Sequence, residues 1–255
     1  MTYLQGPLPT AADLPDSDET PVDNQLQDDL PQLLKEILRR IWAERNDWFF
    51  AVDMGLYYHP HQPAIVPDAL LSVGVPHLKE ENGRLSYVVW EEGKFPDLVL
   101  EVVSQNYNGE YEEKLHQYQE LGILYYAVCN PLVGRGRRHR DREFLEVYEL
   151  GDGVYRRRAG HPIWLPTLGL GLGYAERAVG RWQRRWLYWY DEQGERYPTD
   201  SELRLQEQWQ RLLAEKQTQR ETQQRLLAEE QAQQAISELA RLRDRLRDLG
   251  FDPDR

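Results

Sequence analysis

The segment Leu98-Val99-Leu100-Glu101-Val102-Val103 constrains this chain more than any other, because it is apolar on both alternating faces yet carries a carboxylate in its middle. A strand with one wet face alternates polar and apolar residues. A run that is apolar almost throughout predicts a central strand covered on both sides. Burying the Glu101 carboxylate in such a strand costs several kcal/mol unless it is paired or binds a metal. An ion-paired core acid and a metal ligand are the two readings open at this point.

The neighbouring segments supply the rest of a sheet. Residues 110–121 follow a helical pattern, with Leu115, Tyr118 and Leu121 on one side and Gly122 placed to end the helix. Residues 124–129 then read as another buried strand. Strand, helix and strand in succession make a βαβ unit, whose crossover joins parallel strands and is right-handed. Upstream, the spacing of Leu33, Leu34, Ile37, Leu38, Ile41 and Trp42 predicts a first helix. Short aromatic and β-branched runs at 48–52, 55–58, 64–75 and 87–90 predict strands. A hairpin is expected from 144–150 and 154–158 around Gly151-Asp152-Gly153. The fold class is α/β, a central mixed sheet flanked by helices.

Beyond Pro198 the composition turns to Gln, Glu, Arg, Leu and Ala, and residues 201–249 contain no Gly or Pro. A long helix is expected there, with an apolar stripe that keeps no strict heptad and is too polar to form a core alone. Such a tail needs a partner, and a homo-oligomer, a dimer through core or tail, is the expectation. At the other end, residues 1–30 hold seven carboxylates and no Lys or Arg, and read as an acidic flexible leader. The chain thus divides into 1–30, 31–198 and 199–255.

A chain of 255 residues can build one sizeable core without disulfide staples, and the lone Cys129 lies in an apolar stretch. A single cysteine makes no internal bridge, which points to a reduced, cytoplasmic protein without a zinc cluster. No run approaches the roughly 18 apolar residues of a membrane span, so no membrane partner is expected. The formal charge of −12 would argue against nucleic acid, but it hides an asymmetry. Between 131 and 185, twelve arginines face six carboxylates. Arg135, Arg137, Arg138 and Arg140 fall in one loop between two expected strands, where they offer phosphate contacts, helped by Arg156, Arg157 and Arg158. The bland alternative is a solvated hairpin tip.

Several strings together resemble one family. Val66-Pro67-Asp68, Trp90-Glu91-Glu92-Gly93-Lys94, Pro96-Asp97 through Ser104, then Lys114, Tyr118 and Gly122, are similar to the Uma-two family of bacterial restriction-endonuclease-like proteins. The resemblance extends over about residues 30–200 and, through Leu249-Gly250-Phe251-Asp252-Pro253, to the end of the tail. It implies the PD-(D/E)XK nuclease fold with a C-terminal long helix or coiled coil. PD-(D/E)XK enzymes use a divalent metal, usually Mg²⁺ (or Mn²⁺), to hydrolyse phosphodiesters.

Spacing helps to assign roles within that resemblance. Asp97 and Glu101 would lie about 13 Å apart on one strand at roughly 3.3 Å per residue, too far to share an ion. Asp68, on a neighbouring strand, is the better partner, so Asp68 and Glu101 are the expected metal ligands. Asp97 is a further site residue that caps the strand or orients a water. The lysine of the superfamily pattern is replaced by Val103, and the resemblance implies that Lys114 on the following helix stands in for it. Lys114 as a plain solvated helix charge is the alternative. A second departure is Asn130 before Pro131, where the family commonly has Asp; it reads as a strand exit. The six histidines show no ligand spacing, and Ser104 has no triad pattern around it. The expected function is a magnesium-dependent endonuclease acting on nucleic acid, DNA by preference. The rival is a non-catalytic binding or assembly protein on the same fold.

Overall fold

The computed structural model describes residues 7–15, 24–79 and 83–248. The chain divides into two compact units between Thr199 and Asp200. The first contains α1 (Gln25–Ile41), β1 (Trp48–Val52), β2 (Leu56–Tyr57), β3 (Ala69–Val73), β4 (Tyr87–Val88), α2 (Val89–Glu92) and β5 (Leu98–Val102). It continues through α3 (Glu113–Glu120), β6 (Tyr125–Cys129), β7 (Leu145–Gly151), β8 (Val154–Arg157), β9 (Ile163–Leu165), β10 (Leu170–Val179) and β11 (Trp182–Tyr190). The described residues of the second unit form one helix, α4 (Asp200–Asp248).

A six-stranded sheet in the order β1-β3-β5-β6-β7-β8 forms the centre. It is mixed: β5 and β6 run parallel across the α3 crossover, and every other neighbouring pair is antiparallel. Every residue of β5 and of β6 is buried, as an apolar run without alternation requires. One face presents Leu98, Leu100 and Val102 to α1 and to the aromatic strand β11, with Trp186, Leu187 and Trp189 in the same core. The other presents Val99 and Val103 to Tyr118, Ile123 and Tyr126. Glu101 shares the parity of Val99 and Val103, so its carboxylate lies on the α3 side.

Four local readings are corrected by the structure. Helix α1 begins at Gln25, well before Leu33, because Asn24 caps it: its side chain accepts from the Leu26 amide at 2.9 Å, and Gln27 reaches back to the Asn24 amide at 3.2 Å. Residues 7–15 do not act as a free leader. The Trp90 indole donates to the Pro9 carbonyl, the Ala11 amide donates to Glu91, and the Tyr57 hydroxyl donates to the Pro15 carbonyl. The expected strand 87–90 is two residues of β4 followed by one helical turn, closed by Gly93 at φ 75°. The long strand at 64–75 shrinks to β3, which leaves Asp68 just ahead of its first residue.

The second sheet, β11-β10-β9, has no counterpart in the sequence reading. Its middle strand is rich in glycine, which usually marks a loop. Here glycine permits close approach: a Cβ on Gly173 would lie 2.7 Å from the Tyr190 ring, itself fixed by a hydroxyl bond to the Tyr174 carbonyl. No helix among the described residues is long and apolar enough to cross a membrane.

Candidate active site

Antiparallel pairing of β3 with β5 places Ala69 opposite Leu100. One step further along the same register, Asp68 stands opposite Glu101, and both fall on the face covered by α3. The Asp68 carboxylate accepts a bond from the Val102 amide, and the Asp68 carbonyl accepts one from the Asp53 amide, so its backbone and side chain are both held. Glu101 is 2% exposed. Lys114 Nζ lies 2.8 Å from Glu101 Oε2, and the Tyr118 hydroxyl donates to Glu101 Oε1 at 2.6 Å. Lys114 and Tyr118 are four residues apart on α3 and so share one side of the helix.

Two buried carboxylates beside one ammonium leave an excess negative charge in a medium of low dielectric. The structure shows how it is relieved. Burial, and then the Glu101 charge, push the Asp68 carboxyl up to about 8, so at neutral pH it holds its proton. Burial also raises Glu101 against the pull of Lys114. Burial works to discharge Lys114, but the attraction of Glu101 and Asp68 outweighs it and holds the ammonium charged. A second cation would remove the need for the Asp68 proton.

That charge imbalance tests whether the residues fit a divalent ion. Hard cations take oxygen ligands, and Mg²⁺ in particular keeps waters and is held by one or two carboxylates with substrate phosphate completing the shell. Asp68 and Glu101 meet that requirement in number and chemistry. Among the described residues no group of three or more His, Cys, Asp and Glu side chains converges. The donor set therefore suits Mg²⁺ or Mn²⁺ and lacks the nitrogen and sulfur ligands typical of zinc.

The remaining expected site residues lie elsewhere. Asp97 sits at the opposite end of β5, where it accepts from the Val73 amide at 2.7 Å and pairs with Lys94 at 2.8 Å; these bonds tie strand ends together, away from Asp68 and Glu101. Asn130 closes the end of β6, accepting from the Leu132 amide and donating to the Tyr111 hydroxyl. Arg135, Arg137, Arg138 and Arg140 are exposed in the segment between β6 and β7. Arg138 stacks on Tyr107 at 4.3 Å, and Arg135 lines a cleft of about 510 Å³ beyond the ends of β5 and β6. Arg156, Arg157 and Arg158 each face a carboxylate instead: Asp152, Glu143 and Glu149. They are less available to phosphate than the sequence implied.

Two members of the site, Tyr118 and Glu110, carry no site role in the sequence reading, although Tyr118 is among the residues of the family resemblance. Tyr118 was an apolar helix position until its hydroxyl was seen on Glu101; its distance of four residues from Lys114 was the available signal. Glu110 is 3% exposed at the head of the α3 segment, and its charge acts on both Glu101 and Lys114. Nothing in its sequence neighbourhood marked it.

Comparison with known proteins now bears on this geometry. The model of the Uma2 family, described as "Putative restriction endonuclease", matches residues 17–175. The chain belongs to the Uma2 family. The match runs from ahead of α1 into β10 and includes Asp68, Glu101 and Lys114, while β11 and α4 lie outside it. Membership carries a restriction-endonuclease-like fold and, coarsely, a nuclease-like function. No curated protein matches the chain.

Proposed function

We propose that this Uma2 protein is a divalent-metal-dependent endonuclease of the PD-(D/E)XK type, acting on DNA by preference. The observation that carries the reading is the cross-strand pair of Asp68 and Glu101, buried with Lys114 as their one ammonium, so that Asp68 keeps a proton that a second cation could replace. Asp68 and Glu101 would hold the ion. When bound, it supplies charge stabilisation at a phosphoryl oxygen and a lowered pKa for an attacking water. Lys114, held charged beside Glu101, places its ammonium to stabilise charge that develops on the scissile phosphate. Tyr118 fixes the second oxygen of Glu101 so that the carboxylate keeps one orientation. Arg135, Arg137, Arg138 and Arg140 contribute sequence-independent contacts to the phosphate backbone.

Incubation with mixed DNA and RNA tests this. Cleavage is expected with Mg²⁺ or Mn²⁺ and is abolished by a chelator, and the Glu101→Gln protein is expected to be at least about a hundredfold slower. Persistence of cleavage in chelator would overturn the metal requirement.

One observation favours the rival, an assembly protein without catalysis: the pattern's lysine position is Val103, buried at 1% exposure. Lys114 answers it by bringing an ammonium to the same carboxylate from α3. The tail supports assembly under either reading. The tail as a whole keeps no strict heptad, but within it Ala228, Ala232, Ala235, Leu239, Leu242 and Leu246 alternate steps of four and three, a local seam, and Leu239 is 62% exposed. This seam is proposed to pair two copies as a coiled coil. Replacing Leu239, Leu242 and Leu246 with Asp is expected to convert a dimer to a monomer in light scattering; an unchanged mass would remove the tail from the interface.

A further inference from the structure

Strands β10 and β11 extend past the core as a two-stranded ribbon. Their register pairs Val179 with Trp182, Arg177 with Arg184, and Ala175 with Trp186 on one face. The other face pairs Ala178 with Gln183 and Glu176 with Arg185. Glu176 is the only carboxylate between 170 and 190, and it bonds Gln183 at 3.3 Å. The first face is thus cationic and aromatic without an acid of its own. Trp182 is 45% exposed, with the Arg184 guanidinium 5.0 Å from its ring centre. Both line the cleft of about 510 Å³ that Arg135 enters from the β6–β7 loop. Ser104, Gln105 and Asn106 also line it, just past Val102, the last residue of β5 and the one that follows Glu101.

We propose that this cleft binds an unpaired nucleotide of a single-stranded segment, its base stacked on Trp182 and its phosphate held between Arg184 and Arg135. An exposed indole flanked by guanidiniums is the chemistry of a single-strand platform, because every base has a π face and every linkage a phosphate. A cleft of this volume lies within the range of small-ligand sites. Asn106 and Gln105 supply donors and acceptors for a base edge. Glu101 lies two residues from Val103, which lines the cleft, roughly 7 Å of strand, so a bound strand leads past the ends of β5 and β6 toward the carboxylate pair. The proposal deepens the nuclease reading by naming its substrate as a strand with unpaired bases.

Binding can be separated from chemistry by working in chelator with the full-length protein and a fluorescein-labelled oligothymidine. Wild type is expected to bind the oligonucleotide, read as a rise in anisotropy. Trp182→Ala is expected to bind about tenfold more weakly and Trp182→Phe close to wild type, with thermal unfolding unchanged since the indole is half exposed. Arg184→Gln is expected to lower the salt slope by about 0.7. Equal affinity of wild type and Trp182→Ala overturns the proposal, as does equal competition by polyglutamate, which would make the cleft an acidic-peptide site. Trp182-dependent binding by a protein that never cleaves upholds the cleft and sinks the nuclease reading. Cleavage with no effect of Trp182 on binding does the reverse.

Discussion

Lys114→Met is expected to lower cleavage by about 30- to 1000-fold, the effect of losing ~2–4 kcal/mol of charge stabilisation at the phosphate. The same substitution is expected to destabilise the metal-free protein. Glu101 is 2% exposed, and without Lys114 only the Tyr118 hydroxyl remains of the two partners bonded to its carboxylate. Removing one member of a buried pair typically costs ~3–5 kcal/mol, lessened here as Glu101 takes up a proton. Divalent binding should persist or tighten, since a competing cation has gone from Glu101 Oε2. Cleavage is therefore compared at a temperature where circular dichroism shows both proteins folded. A surface lysine would move none of these readouts, and cleavage by Lys114→Met at the wild-type rate would remove Lys114 from the chemistry.

Asp68 gives the second large effect, on stability against pH. Its folded value of about 8 stands well above the unfolded value near 4. Between those limits the folded state binds one proton more than the unfolded state, so this residue makes stability fall as pH rises, by up to about 1.4 kcal/mol per pH unit. Below about 4 both states are protonated and the contribution is fully present; above about 8 it is lost. Most acid–base dependence in proteins from paired carboxylates runs the other way. Urea titrations from pH 5 to 9 in chelator are expected to show this slope, and Asp68→Asn to flatten it and to exceed wild type in stability at pH 8. Saturating Mg²⁺ is expected to restore wild-type stability at pH 8 and to do nothing for Asp68→Asn. An identical pH slope in the two proteins would show that Asp68 ionises normally.

The centre of the fold was legible because its physics is local to the strands. An apolar run with no alternation has few places to go but the middle of a sheet, and the cost of burying Glu101 announced a paired acid before any partner was known. The position of Asp68 opposite Glu101 followed from strand parity once β3 and β5 were neighbours. What stayed hidden depends on contacts remote in sequence. Residues 7–15 belong to the acidic first thirty residues and hold three prolines, yet three hydrogen bonds to Trp90, Glu91 and Tyr57 fasten them. Glycines in β10 look like loop until Tyr190 and Pro162 are seen pressing on Gly171 and Gly173. The cap of α1 was different: Asn24 and Gln27 stood in the sequence at capping-box spacing, but the carboxylates of residues 1–30 made that stretch read as a leader. Likewise Arg184 entered only a count of arginines and Trp182 drew no reading, because nothing in the sequence showed that a ribbon carries them to the end of β5.

Calorimetric titration of Mn²⁺ into wild-type and Glu101→Gln protein at pH 7, in buffers of different ionisation enthalpy, tests the central claim that Asp68 and Glu101 form a cation site. Wild type is expected to bind the ion with release of about one proton, the one Asp68 holds, and Glu101→Gln to bind at least about tenfold more weakly. Absence of binding to folded wild type, or equal affinity in Glu101→Gln, would contradict it.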